Sequence, residues 1–359
     1  MPPSIMSYDV SLGRLLASSS LRGCMPAVAE PVPLQHAASL SDELGRQVFV
    51  KREDRVDDFG CGNKLRKLHY IAEDALARGV DTFISVGSLP SNQCKAVAKV
   101  ARQRGLRAHL VYGGDVQRRP AVARGSYLLT SLFNPSLTWF EYTPWHELGS
   151  KLQGVYEAEV QAGFAPLVIP SGASAWPGIV GSLELAMETA SQLRAFGLEK
   201  ADIVCAAGSG GTAAGFQLAA ELFDLDHEVH GICIGEPSSG VAAQVQALVE
   251  DAFCSLNSTR SVARPARFHD VALGVYDRPA DAELEIMARG ATRHGLLLDP
   301  NYMVKAFIGL EHLSRHDLLR ADATVVLIHT GGQSGLFDGN PNMASWHART
   351  FPNWLSEDN

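Results

Sequence analysis

Three stretches of this sequence run from a β-branched segment straight into glycine: Ser85-Val86-Gly87-Ser88, Ala206-Ala207-Gly208-Ser209-Gly210-Gly211-Thr212 and His329-Thr330-Gly331-Gly332. A strand, a glycine turn and a helix start together make an anion cradle. Free N–H groups and the helix dipole point at the ligand, and glycine lets the backbone come close. Gly208, Ser209, Gly210, Gly211 and Thr212 form the best phosphate candidate, with two hydroxyls among three glycines ahead of an Ala-rich helical pattern. A tight strand-to-helix turn without a ligand also accounts for such a loop, because glycine loops are weak motifs.

A second group of residues needs other chemistry. Gly60-Cys61-Gly62-Asn63-Lys64-Leu65-Arg66-Lys67 follows the strand end Lys51-Arg52-Glu53-Asp54 and puts Lys64 at a helix start. A cation is disfavoured there, which favours the neutral, nucleophilic amine that Schiff-base lysines need. Taken alone, a solvated helix-start lysine fits Lys64 better. Pro90-Ser91-Asn92-Gln93 sets small polar side chains at another helix start, suited to a carboxylate, although Ser and Asn are also ordinary caps.

Stepping along the chain, β-branched runs over 48–50, 82–86, 108–112, 137–142, 167–169, 203–206, 229–234 and 324–328 alternate with helical patterns such as 65–78, 92–104, 179–196 and 213–223. That alternation predicts an α/β protein with parallel sheets and ligand loops at the strands' carboxyl ends. A length of 359 residues predicts two subdomains. The opening of about 45 residues reads as irregular and Pro-rich, and the stretch from Asp338 reads as surface coil.

With 46% hydrophobic and 19% charged residues the balance is that of a globular chain, and a net charge of -8 argues against nucleic-acid or anionic-membrane partners. No signal-peptide core or membrane-length apolar run is apparent. The six cysteines show no CxxC pair, so neither zinc nor disulfides are expected and the cytosol is the expected compartment. The histidines show no metal-ligand spacing; His329 reads as structural, and Arg52, Arg66 and Lys95 as solvated or ion-paired.

The 208–213 segment also matches a dinucleotide pattern, with Glu236 placed to hold a ribose. A nicotinamide oxidoreductase is therefore a rival reading, but it leaves Lys64 and Ser91-Asn92 unexplained. A non-catalytic amino-acid binder is a third.

The ordered set Lys-Arg-Glu-Asp, Gly-Asn-Lys-x-Arg-Lys, Ser-Asn-Gln, Gly-Ser-Gly-Gly-Thr, Asp-Pro-x-Tyr and His-Thr-Gly-Gly resembles the 1-aminocyclopropane-1-carboxylate (ACC) deaminase and D-cysteine desulfhydrase family, from about Pro31 to Phe337. The resemblance implies the two-domain fold type II of pyridoxal-phosphate (PLP) enzymes, each domain an open, mostly parallel sheet flanked by helices. The large domain would comprise 1–64 and 179–359, the small substrate-side domain 65–178. It implies that Lys64 carries PLP and moves the α-proton, that Asn92 bonds the cofactor's phenolic oxygen, and that 208–212 holds its phosphate. Ser91 would serve proton transfer or substrate contact, Gln93 and nearby N–H groups the substrate carboxylate, Tyr302 the leaving group, and Thr330 the pyridine ring. A homodimer is also implied, and no metal.

Departures from the family pattern matter. Gly87-Ser88-Leu89-Pro90 stands where members often read Gly-Gly-Ile-Gln. Met303 stands where ACC deaminases carry a glutamate for the pyridine nitrogen, leaving a hydroxyl such as Thr330 and a weaker electron sink. That disfavours ring opening and favours α,β-elimination or β-replacement on a small β-substituted amino acid such as D-cysteine or cysteate. Tyr276, in Leu273-Gly274-Val275-Tyr276-Asp277, is displaced by one position from a family tyrosine, and Trp176 stands near a family Gly-Gly-Ser-Asn turn; both are substrate-side candidates.

Overall fold

A computed structural model describes residues 5–17, 19–114, 119–143, 147–274 and 276–354; Val275 lies outside them. Its helices are α1 (Ile5–Leu16), α2 (Ala38–Leu44), α3 (Lys64–Ala77), α4 (Asn92–Gln103), α5 (Gly125–Ser131), α6 (Leu148–Gln161), α7 (Ile179–Ala195), α8 (Gly211–Leu222), α9 (Ser238–Ser255), α10 (Asp281–His294), α11 (Met303–Arg315) and α12 (Pro341–Thr350). Its strands are β1 (Leu34–His36), β2 (Val48–Lys51), β3 (Thr82–Gly87), β4 (Arg107–Gly114), β5 (Ser136–Glu141), β6 (Pro166–Val168), β7 (Ala201–Ala207), β8 (His227–Cys233), β9 (Arg267–His269) and β10 (Thr324–Ile328).

The strands form a six-stranded sheet, β1-β2-β10-β7-β8-β9, and a four-stranded sheet, β5-β4-β3-β6. Among the described residues only β1 runs antiparallel, against β2. Central strands covered on both faces need apolar residues at every position, and β7 and β10 are buried throughout. Successive side chains point to opposite faces. Ile203, Cys205, Val326 and Ile328 accordingly join the core under α7, α8 and α9, while Val204, Ala206, Val325 and Leu327 join the core under α11. The smaller sheet repeats the device: Phe83 and Leu110 pack toward α3 and α4, Ile84 and Val111 toward Val155 of α6.

This is the expected α/β class with mostly parallel sheets. Two expectations are corrected. The opening is not irregular: α1 buries Leu12 and Leu16, one helical turn apart, against the core beneath α7. The closing stretch is not coil: Asn340 caps α12 by accepting from the N–H groups of Asn342 (2.9 Å) and Met343 (3.3 Å), and Trp346 is buried. Pro341 occupies the first helical turn, where its missing N–H removes no bond.

Parallel strands deliver the loops after β2, β3, β7 and β10 from their carboxyl ends. All four loops carry the residues singled out above.

Candidate active site

Lys64 is the first residue of α3, and two glycine contacts place it. Gly62 has φ +61, and a Cβ there would stand 2.0 Å from the Thr330 carbonyl oxygen. Gly331 has φ +100 and would meet the Gly62 Cα at 2.8 Å. Only two bare backbones can cross this closely, and the Asn63 N–H donates to the Thr330 carbonyl at 3.2 Å. Asn63 also donates through Nδ2 to Thr212 Oγ1 at 2.8 Å. Three loops distant in sequence are thereby pinned around Lys64. Its Nζ donates to Asn63 Oδ1 at 3.2 Å. Burial pushes its pKa down to about 8, partly offset by the Asp299 carboxylate.

The 208–212 loop turns at Gly210, with φ +73, and α8 begins at Gly211. A Cβ on Gly211 would meet Ser174 Oγ at 2.1 Å and Lys67 Nζ at 2.5 Å, and one on Gly208 would face Tyr302 Cε1 at 3.8 Å. Ser209 Oγ lies 2.8 Å from Ser174 Oγ. The cradle is therefore walled by hydroxyls and by a lysine that the sequence reading missed. Lys67 is buried, with Nζ donating to the Gly172 carbonyl (3.2 Å) and Ser174 Oγ (3.3 Å). No carboxylate pairs with it among the described residues, and burial, then Lys64, holds its pKa well below the usual lysine value. The i, i+3 spacing of Lys64 and Lys67 on one helix was the available signal.

Ser91 caps α4, its Oγ accepting from the Cys94 N–H at 3.1 Å. Asn92 Oδ1 is buried and has no hydrogen-bond partner among the described residues. An idle amide end in a closed site is suited to a bound group, and turned over it offers N–H₂ to an oxygen. Gln93 differs from the expectation for its side chain. Nε2 donates to Ser85 Oγ (3.0 Å) and the Pro170 carbonyl (2.9 Å), and Oε1 accepts from the Gly172 N–H. What Gln93 retains for a carboxylate is its main-chain N–H in the first turn of α4.

Asp299 organises the fourth wall by accepting from the N–H groups of Asn301 (2.9 Å), Tyr302 (3.0 Å) and Met303 (2.9 Å) at the start of α11. Tyr302 and Tyr276 meet edge to face, ring centroids 5.6 Å apart. Burial pushes the Tyr302 phenol up to about 12. Met303 is fully buried, and its sulfur accepts from the Thr330 N–H (3.3 Å) and hydroxyl (3.6 Å). Lys64, Asn63, Thr212, Gly208, Tyr302, Tyr276, Met303 and Thr330 thus form one connected group. Trp176 is set instead against the core beneath α7, and Glu236 lies exposed past the end of β8. Arg66 and Arg52 are ion-paired and Lys95 is bonded to the Gly60 carbonyl and Ser334 Oγ.

The family profile described as pyridoxal-phosphate dependent enzyme matches residues 27–331. The chain belongs to that family. The enzyme is 34% identical over 305 residues to a Pyrococcus abyssi chain named as a candidate ACC deaminase, covering 85% of this chain and 90% of that one. It is 31% identical over 318 residues to the D-cysteine desulfhydrase of Serratia proteamaculans, covering 88% and 96%. The crystal structure of an ACC deaminase homologue superposes with a TM-score of 0.81 at 31% identity over 96% of this chain and all of that one. Escherichia coli diaminopropionate ammonia lyase shares the fold, with a TM-score of 0.63 at 16% identity over 96% and 91%. The nicotinamide reading falls with these findings.

The residues present fit PLP. The Asn92 amide, whose idle end can be turned to offer N–H₂, the glycine cradle that a Cβ would fill, and a buried lysine with no acidic partner among the described residues answer to a phenolic oxygen and a phosphate. Gly211→Ala therefore weakens cofactor binding roughly ten- to a hundredfold, the scale of ~1–3 kcal/mol of overpacking, in an equilibrium absorbance titration. Cofactor uptake by the apo-enzyme has a pH signature as well. Only the neutral amine attacks a carbonyl, so its rate rises as pH passes up through about 8 and then levels.

Proposed function

We propose that the enzyme catalyses α,β-elimination on a small β-substituted amino acid, such as D-cysteine or cysteate, releasing pyruvate and ammonia. One observation carries this reading: the site holds two titratable groups pushed apart in opposite directions, the Lys64 amine down to about 8 and the Tyr302 phenol up to about 12. Divergent pKa values mark an acid and a base, and elimination needs both.

PLP, held by Lys64, Asn92, Thr330 and the 208–212 loop with Lys67 behind it, supplies the electron sink for charge left at the α-carbon. The remaining work belongs to the chain. The Ser91 hydroxyl and the N–H groups of Asn92 and Gln93 hold the substrate carboxylate at the start of α4. Lys64, freed by the substrate amine, takes the α-proton. Tyr302, its ring held edge to face by Tyr276, gives its proton to the departing thiol or sulfite. The unsaturated product hydrolyses to pyruvate and ammonia.

Met303 supports elimination over ring opening of ACC: a thioether bonded to Thr330 offers no charge to the pyridine nitrogen. β-Replacement would share every step up to leaving-group departure. The proposal includes a homodimer in the cytosol, with 1–64 and 179–359 as the cofactor unit and 65–178 as the substrate unit. No helix among the described residues is long and apolar enough to cross a membrane.

The test is a panel of D- and L-amino acids carrying thiol, sulfonate, chloride or acyl leaving groups, scored for pyruvate. Release of pyruvate from at least one supports elimination. Cofactor binding without turnover of any would make the protein an amino-acid binder, and 2-oxobutanoate from ACC alone would make it a ring-opening deaminase.

A further inference from the structure

Near the amino ends of β7 and β8, away from the 208–212 loop, the six-stranded sheet carries a second polar cluster. Asp202 pairs with Glu228 across β7 and β8, and Val204 with His230. Across β8 and β9, His230 pairs with Arg267 and Ile232 with His269. Alternation puts Asp202, Glu228, His230, Arg267 and His269 on one face, the face whose Val204 and Ile232 pack under α11. A carboxylate oxygen of Asp202, one of Glu228 and a ring nitrogen of His230 all lie within 4.8 Å of one another.

His230 distinguishes this cluster from a plain network of ion pairs. Its side chain is fully buried, and Nε2 has no hydrogen-bond partner among the described residues. Nδ1 lies 3.2 Å from His269 Nε2. With the Nδ1 proton donated to His269, Nε2 keeps an idle lone pair inside the protein, where polar atoms normally have partners. Burial, then the His269 ring, holds the His230 pKa down to about 4, so the ring is neutral at neutral pH. A metal-bound histidine has the same form: a neutral ring whose other nitrogen is held by a hydrogen bond.

The two carboxylates keep room for a ligand. Glu228 Oε2 is buried and accepts no hydrogen bond among the described residues, although Arg267 Nη2 stands 3.2 Å from it. The Arg267 side chain is exposed and can turn to solvent. Asp202 is fully buried and is oriented by Arg320, whose Nε donates to Oδ1 and whose main-chain N–H donates to Oδ2, both at 2.7 Å. A carboxylate accepts about four hydrogen bonds, so a lone pair stays open on each oxygen. Arg320 is itself held away by Asp226 Oδ1 (2.6 Å) and the Ala201 carbonyl (2.8 Å).

We infer that Asp202, Glu228 and His230 form a binding site for a divalent transition-metal ion, best matched by Zn²⁺. One imidazole and two carboxylates suit Zn²⁺, whereas Mg²⁺ and Ca²⁺ take oxygen ligands. Tetrahedral bonds of ~2.0–2.1 Å set ligand atoms about 3.4 Å apart. A short turn of the partly exposed Glu228 closes that gap, and water from its side fills the fourth position. The ion would clamp β7 to β8 and touches no residue of the elimination, so the inference stands apart from that reading.

The experiment titrates the cofactor-loaded enzyme, dialysed free of metal, with Zn²⁺ against a chromophoric chelator. One equivalent is expected to bind with Kd about 1–10 µM, weaker than four-ligand zinc sites because two guanidiniums stand near. Glu228→Gln and His230→Ala each weaken it at least about a hundredfold, more than an outer partner commands. His269→Ala weakens it about ten- to a hundredfold, as loss of an outer partner does. Arg267→Gln tightens it about two- to fivefold, because an exposed competing charge is gone. If His230→Ala does not fold, Glu228→Gln and Arg267→Gln decide, since both alter partly or well exposed side chains. No saturable Zn²⁺ binding by the unaltered enzyme overturns the inference. Binding left unchanged by both Glu228→Gln and Arg267→Gln puts the ion elsewhere and overturns it too.

Discussion

Replacing Lys64 by Ala abolishes turnover by at least about 10⁴-fold, the upper end of what one acid–base group supplies, and removes the visible absorbance of the lysine-bound cofactor. The fold survives. Lys64 is in no ion pair among the described residues, and its side-chain amine bonds only to neighbouring Asn63. Its removal also relieves a charge held close to Lys67, whose own pKa Lys64 lowers. Circular dichroism and the thermal midpoint therefore stay near those of the unaltered enzyme. PLP still binds, without its covalent link, because Asn92, the glycine cradle and Lys67 are untouched. An activity loss accompanied by a collapsed thermal midpoint would mean that Lys64 is structural.

Arg66→Met has the opposite profile, a large loss of stability two residues from the same lysine. Arg66 is fully buried and meets three carboxylates: Glu53 at 2.9 Å, Glu184 at 2.7 Å and Glu188 at 3.0 Å. Lys51 pairs with Glu188, and the Tyr70 hydroxyl donates to Glu184 at 2.7 Å. The guanidinium locks α3 to α7 and to the turn after β2, which fixes the start of α3 and so Lys64. Methionine fills much of the space but leaves three buried carboxyl groups with one cation. The expected loss is ~3–5 kcal/mol, a large part of the ~5–15 kcal/mol that holds a domain together. The stranded carboxyl groups acquire pKa values above their unfolded ones. Their protonated forms are favoured in the folded state, so the loss is smallest in acid and grows as pH rises. Urea melts at about pH 5 and about pH 8, on either side of a raised carboxyl pKa, measure both effects, and a loss independent of pH would contradict the account.

The sequence made the site's backbone legible and much of its side-chain chemistry obscure. Gly62, Gly210, Gly211 and Gly331 advertised their loops because only glycine takes those conformations or approaches, a local property a sequence displays. Val204 and Val325 advertised the central strands for the same reason, since strands covered on both faces admit little else. What Gln93 bonds could not be read, because Pro170 and Gly172 lie far along the chain. Lys67 looked like any helical lysine until Ser174 and the 208–212 loop came beside it. Arg66 likewise became a structural cation only when α7 delivered Glu184 and Glu188. The helix α12 escaped notice because it is short and Trp346 is its one buried side chain, too little for a periodic signal to stand out.

Lys64 and Lys67 lie one helical turn apart, both with lowered pKa values, so the lysine that holds the cofactor can be tested against a real competitor. Borohydride reduction of the cofactor-loaded enzyme, followed by digestion and mass mapping, fixes the cofactor to whichever lysine carries it. The account predicts the phosphopyridoxyl mass on Lys64 alone, with Lys67 unmodified. The mass on Lys67, or on no lysine of α3, would contradict it.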